Sequence, residues 1–272
     1  MKIYKNIYVL SLILVSILMA SCYESKDVAE EVVVDPSEFT QKLLLEDFTG
    51  TWCVYCPGAG HAIEKAVEDN NRFIPVAIHY HTDSNPEEMQ NQFSESIVNE
   101  YSVEGFPKVY LNRREKLWPN DYLVSSLESM LNRYAPVGLA INSNLTGNTL
   151  DVTVKVGFVT ETTTVDNYKL VVFLLEDGLI YPQKNAAIQD LPPIIDDYEH
   201  NDVLRYSFTN VKGDNLPNQI ADDHRYSKDF SVTLPSYIEN SSNLKVVAFV
   251  VDKNANCLNV QVANVGANQD FD

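Results

Sequence analysis

Asp47-Phe48-Thr49-Gly50-Thr51-Trp52-Cys53-Val54-Tyr55-Cys56-Pro57 is the stretch that decides the fold. Just ahead of it, Leu43-Leu44-Leu45-Glu46-Asp47-Phe48 is a short apolar run suited to a strand buried on both faces. Just behind it, residues 57–70 carry helical spacing, with Ala59, Ile63, Ala66 and Val67 on one face. Taken alone, C-x-x-C is a redox pair, half of a zinc site or a simple disulfide. A zinc ribbon needs a second C-x-x-C, which the sequence lacks. The setting adds chemistry. At a helix start, unpaired N–H groups and the helix dipole stabilise a thiolate on Cys53. Cys56 follows one turn later, placed to attack a mixed disulfide and release its partner. A stable disulfide without turnover stays open as the alternative, since exported proteins often keep such bonds.

Outward from this motif, residues 41–135 alternate strand and helix. Residues 73–80 read as a strand and 109–111 as another. Residues 86–100 read as a helix, with Asn85 as N-cap and Pro86 at the first position. Residues 121–134 read as an amphipathic helix carrying Leu123, Leu127, Met130 and Leu131. This order predicts an α/β domain. At Ala135-Pro136 the texture changes. Leu150, Val152, Val154, Val156 and Phe158 alternate with Asp151, Thr153, Lys155 and Gly157, a period of two. Strands are further expected at 139–145, 168–175, 203–209, 230–234, 244–251 and 258–262, with no helix among them. Residues 136–272 are therefore expected to form an all-β, immunoglobulin-like sandwich.

The motif and its surroundings resemble the active-site region of thioredoxins. Trp52 directly before the first Cys matches. Asp47, six residues before Cys53, matches the buried carboxylate that moves protons for the second Cys. Tyr101-Ser102-Val103-Glu104-Gly105-Phe106-Pro107 looks like the family's approach to its cis-proline. The resemblance covers residues 41–135. It implies catalytic roles for Cys53, Cys56 and Asp47, and a substrate groove shaped by Trp52, Phe106 and Pro107. The implied partners are protein thiols or disulfides, with no cofactor and no metal. Val54-Tyr55 departs from the family's usual Gly-Pro, a dipeptide that tunes redox potential. Residues 82–99 exceed the simple family plan and predict a helical insertion.

The chain opens with Lys2, Lys5 and an apolar run over residues 9–20, which suits a signal peptide and is short for a membrane span. Leu18-Met19-Ala20-Ser21-Cys22 resembles a bacterial lipobox, which implies lipidation of Cys22 and anchoring in a membrane. Residues 22–40 are polar and acidic and read as a tether. Glu24 and Asp27 loosely resemble a Bacteroidetes surface-export signal. A net charge of −18 over 272 residues excludes nucleic acid as a partner. The whole layout is similar to the Bacteroidetes outer-membrane lipoproteins of the twenty-eight-kilodalton type. That implies an outer-membrane location, periplasmic or surface facing.

Other candidates read as structural. His79 and His81 alternate on a strand; they are expected at a strand end facing a polar loop, with no third ligand in sight. His61, five residues after Cys56, is expected on a helix face away from that of Cys56. Asp196-Asp197-Tyr198-Glu199 and Asp222-Asp223 read as solvated loop charge. The long connection 176–202, with Leu191-Pro192-Pro193, is a candidate for partner contact. Cys257 reads as a buried or edge thiol, with pairing to another molecule left open. Two functions follow from different classes: a membrane-anchored thiol–disulfide oxidoreductase, or a binding lipoprotein in which the disulfide staples a scaffold.

Overall fold

In a computed structural model, residues 39–117, 123–159, 167–218 and 224–272 are described. The leader, Cys22, most of the tether, Asp121 and Asp222-Asp223 lie outside the described residues. Strand β1 (Leu43–Thr49) has all seven residues buried. Leu44 and Phe48 face one side of the sheet, Leu43 and Leu45 the other. That is why the run shows no polar alternation. Strand β2 (Phe73–His79) lies parallel to β1, from Leu43 opposite Phe73 to Thr49 opposite His79. Parallel neighbours need a crossover, and α1 (Cys56–Asp69) supplies it. Pro57 sits in its first turn, where a missing N–H costs nothing, and Ala59, Ala62, Ile63 and Ala66 are buried.

Helix α2 covers Gln92–Tyr101 and so begins later than the expected residue 86. Its cap is Asn91, not Asn85. The Asn91 side chain accepts from the N–H groups of Phe93 and Ser94, and the Ser94 hydroxyl accepts from the Asn91 N–H. Residues 86–90 are held out of the helix by their side chains. Glu87 accepts hydrogen bonds from Thr51, and Gln90 accepts from the His81 N–H. Of the expected helical insertion over residues 82–99, residues 82–91 are thus irregular and residues 92–99 belong to α2. Strands β3 (Lys108–Leu111) and β4 (Glu115–Leu117) follow, β3 antiparallel to β1, and then α3 (Leu123–Leu131). The order is β2-β1-β3-β4. Ile63 and Ala66 of α1 pack with Leu127 and Leu131 of α3 on one face, while Ile97 and Val98 of α2 pack on the other. This is the arrangement of a thioredoxin-like fold.

The second half adds β5 (Val137–Thr146), β6 (Thr149–Phe158), β7 (Lys169–Glu176), β8 (Leu179–Ile180), β9 (Gln183–Lys184), β10 (Ile194–Ile195) and β11 (Glu199–His200). It continues with β12 (Val203–Ser207), β13 (Asp214–Asn215), β14 (Arg225–Thr233), β15 (Leu244–Val251), β16 (Cys257–Asn264) and β17 (Asn268–Gln269). One sheet has the order β14-β6-β5-β17. Its tightest turn is Gly147-Asn148, where Gly147 takes φ +60° between β5 and β6. The facing sheet is not separate. Strands β16-β15-β7-β12 continue directly into β2-β1-β3-β4, with β12 parallel to β2 at Val203 and Ala77. A single sheet therefore crosses residue 135, and the described residues fall within one compact unit, residues 34–272.

The two faces of β7 and β15 serve different cores. Leu170, Val172, Leu174, Val246, Ala248 and Val250 pack against Val152, Val154 and Val156 of β6. Val171, Phe173, Leu175, Val247 and Phe249 pack with α2 and β2. Each fully buried Val, Leu or Phe contributes roughly 1.5–3 kcal/mol. The segment ahead of β1 is clamped to the end of the chain. Thr40 N–H donates to Asp272 O at 2.6 Å, and Lys42 Nζ reaches Asp272 and Gln261, each at 2.7 Å. Phe39 lies over Gly138, where a Cβ would meet its ring at 2.2 Å.

Candidate functional site

Beyond Thr49 the chain turns sharply. Cys53 N–H donates to Gly50 O at 3.0 Å and Cys56 N–H to Cys53 O at 3.3 Å. Tyr55 precedes α1 and makes no side-chain cap. The Cys56 and Gly58 N–H groups turn back onto Cys53 O and Tyr55 O, and Pro57 has none, so the helix dipole is what the start of α1 offers a negative charge. Cys53 and Cys56 form a disulfide with Cα atoms 5.4 Å apart. They are 4% and 2% exposed, while Val54 and Tyr55 at the loop tip are exposed.

Asp47 lies on β1 beneath this loop. It is buried, and its Oδ1 has no hydrogen-bond partner. Burial pushes its carboxyl from 3.8 up to about 7. Asp47 and Cys56 open onto one cavity of about 60 Å³, which Glu64, Tyr198 and His200 also line. A volume of that size has room for water. Trp52 donates through Nε1 to Tyr80 O at 3.0 Å. Its ring meets Phe106 edge-on at 5.4 Å, and the Phe106–Pro107 bond is cis. The structure thus brings Phe106, and Pro107 after it, to Trp52, the residue directly before Cys53.

His79 is not at an open strand end. It is 2% exposed, and its Nδ1 lies 3.1 Å from Glu87 Oε1. Glu87 Oε2 accepts from the Thr51 N–H at 2.6 Å and the Thr51 hydroxyl at 2.9 Å. Burial opposes the charge on Glu87, but the bonds from His79 and Thr51 outweigh it and hold the carboxyl below its ordinary value. His200 packs edge-on against His79 at 5.1 Å. Burial first, then His79, lower its imidazole to about 3. Among the described residues, no group of three or more His, Cys, Asp and Glu is arranged to hold a metal ion. His61 is exposed on α1. Asp196 and Asp197 are solvated, but Tyr198 and Glu199 line the cavity beside Cys56. Cys257 is a buried free thiol, raised well above its ordinary value by burial.

The connection 176–202 supplies a feature that sequence reasoning missed. Residues 183–187 lie along the dithiol loop as a cap. Lys184 N–H donates to Thr51 O at 2.8 Å and Ala186 N–H to Val54 O at 2.7 Å. Gln183 is 2% exposed, and its Nε2 donates to Cys53 O at 3.0 Å and Gly50 O at 3.3 Å. A Cβ on Gly58 would come within 2.9 Å of Ala187 Cβ. Asn185 holds the cap in shape, its Oδ1 accepting from Ala187 and Ile188 N–H and its Nδ2 donating to Pro192 O. The only sequence signal was the length of the connection and its Leu191-Pro192-Pro193 breaker. Neither names residues 50–54 as the surface it covers.

Among solved structures, HBP35 of Porphyromonas gingivalis superposes with a TM-score of 0.69 at 20% identity, over 85% of this chain and 77% of that one. This likeness is one of fold. The thioredoxin domain of a thiol-disulfide oxidoreductase from Bacteroides vulgatus aligns at 19% identity over 35% of this chain and 82% of that one, with a TM-score of 0.28. At that score it carries no argument. No curated protein matches. The family model for outer membrane protein Omp28 matches residues 94–269, from α2 to β17 and beyond the dithiol. With well over half of its length matched, the chain belongs to the Omp28 outer membrane protein family.

Proposed function

We propose that this protein is a lipid-anchored thiol–disulfide oxidoreductase of the outer membrane. The observation that carries the reading is Asp47, buried and unpaired, sharing a small cavity with Cys56 at the foot of α1. In the oxidised state a substrate thiolate attacks Cys53 Sγ, the Cys53–Cys56 bond breaks, and Cys56 leaves as a thiolate. Asp47, neutral below about pH 7, supplies the proton that Cys56 takes up. A second substrate thiolate then attacks the mixed disulfide and releases Cys53. The substrate dithiol is oxidised and the protein pair reduced. Trp52, Phe106 and Pro107 form the surface against which the substrate chain lies. Anchoring falls to Cys22, and Cys22→Ser should release the protein from the membrane fraction. We read the two facing sheets of the second half as an immunoglobulin-like sandwich, one sheet of which is shared with the thioredoxin-like half.

One observation favours a second reading, a binding lipoprotein with a stapled scaffold: Cys53 is only 4% exposed beneath residues 183–187. The reduction potential of the Cys53–Cys56 pair separates the two. A value between about −270 and −120 mV belongs to exchange catalysts and supports the oxidoreductase. A value below about −300 mV marks a structural disulfide and overturns it.

A further inference from the structure

The cavity at Cys56 has walls from both halves of the chain. Asp47, Cys56, Gly60 and Glu64 come from the first half, Gln183 and residues 198–202 from the second. It runs from buried to open: Asp47 and Cys56 are buried, while Glu64 and Glu199 are exposed. Cys56, Gly60 and Glu64 stand four residues apart on α1 and so form one row along the helix. Tyr198, half-buried, crosses that row at its middle. A Cβ on Gly60 would meet the Tyr198 hydroxyl at 3.2 Å. Glycine inside a helix is unfavourable, and here it leaves the gap in which the hydroxyl rests. Burial, then the charges of Glu64 and Asp47, push the Tyr198 phenol up, which agrees with a hydroxyl lying between the two acids.

Nothing in this cavity holds a charge on Asp47. Its Oδ1 is buried without a partner. The titratable groups that line the cavity with it are Glu64 of α1, His79 of β2, and Tyr198, Glu199, His200 and Asp202 of the second half; Cys56 is in the disulfide. Three of these are acids, and Asp202 is bound to Lys245. His79 turns its Nδ1 to Glu87, and burial first, then His79, lower His200 to about 3. Exclusion of water is therefore what keeps the proton on Asp47, and water let in from the Glu64 end would ionise it.

We propose that Tyr198 is a positioning residue for Asp47: its ring shuts the cavity between the Cys56 end and the Glu64 end and keeps bulk water from the carboxyl. The acid of the thioredoxin-like half is thus held in its proton-carrying form by a residue of the connection 176–202. Delivery of that proton to Cys56 rests on the oxidoreductase reading; the closure does not.

The probe is the ¹³C carboxyl signal of Asp47 in the full chain carrying ¹³C-aspartate, identified by its loss in Asp47→Asn. In Tyr198→Ala its titration midpoint should fall by about 1–2 pH units, a part of the ~3–5 that full burial brings. Tyr198→Phe keeps the ring and should leave the midpoint in place. Tyr198→Thr makes the same opening with a residue that favours extended chain, and should give the same fall. Reduction of the disulfide by dithiothreitol, followed against pH and compared with the parent, gives a second reading. Its Asp47 limb should move down in Tyr198→Ala and Tyr198→Thr and stay in Tyr198→Phe. A carboxyl midpoint that falls while the reduction profile stays supports the closure and counts against the oxidoreductase reading. An unmoved midpoint in Tyr198→Ala and Tyr198→Thr, or an equal fall in Tyr198→Phe, would overturn the proposal.

Discussion

Asp47→Asn should change how stability depends on pH, and the size follows from burial. The Asp47 carboxyl stands at about 7 in the folded chain against an ordinary 3.8. Between those values the folded protein holds a proton that the unfolded chain has lost. Stability therefore falls as pH rises through that window; the contribution is fully present below 3.8 and gone above about 7. A rise of about 3 pH units corresponds to ~4 kcal/mol at full ionisation. Asn does not titrate, so the variant lacks this slope. Other buried acids, Glu46 and Asp202 among them, also stand above their ordinary values. The quantity to read is therefore the difference between variant and parent, in which their contributions cancel. Urea unfolding at pH 4.5, 6 and 8, with linear extrapolation, gives that difference. It should move in favour of Asn by ~3 kcal/mol from the lowest pH to the highest. Parallel profiles would refute a buried, unpaired Asp47, and with it the proton donor assigned to Cys56.

Gln183→Ala removes the donor to Cys53 O and Gly50 O. It should loosen the cap by ~1–3 kcal/mol and speed reduction of the disulfide by dithiothreitol several-fold; an unchanged rate counts against a closed cap. Arg205→Met strands Glu176, which is fully buried and lies 3.0 Å from Arg205 Nε. The expected loss is ~3–5 kcal/mol in urea unfolding, and a loss below ~1 kcal/mol would mean the charge finds water. Asn91→Ala deletes the cap of α2 and the bond from Asn91 Nδ2 to Leu204 O at 2.6 Å. It should cost at least ~1 kcal/mol, with faster amide exchange at Phe93 and Ser94.

The local elements were readable because burial leaves a period in the sequence. The alternation from Leu150 to Phe158 marks β6, and the spacing of Ile63 and Ala66 marks α1. Edge pairing leaves no such trace. A strand's pattern tells which faces are covered, not which strand lies beside it. One sign was present: Leu170 to Leu175 is unbroken apolar sequence, and a strand with one wet face should alternate. Its two buried faces belong to two cores. The Asn85-Pro86 signal for a helix start was sound chemistry overruled by tertiary contacts, because Glu87 and Gln90 are taken by Thr51, His79 and His81. The dithiol, Asp47 and Trp52 were legible because they lie within one short motif, and Pro107 because the segment 101–106 ahead of it forms another. The cap was not, because Gln183 meets Cys53 across 130 residues of chain.

The clamp between residues 39–42 and the end of the chain acts as strain relief. Any tug on the residues ahead of Phe39 meets the Phe39 ring over Gly138 first. It then meets the Lys42 contacts to Gln261 and Asp272, all before Leu43. β1, which delivers Asp47 and the dithiol loop, starts only after those fastenings. A load arriving from that end is passed to β5 and β16, as a cable is gripped before its connector. The dithiol keeps its geometry while the rest of the molecule takes the pull.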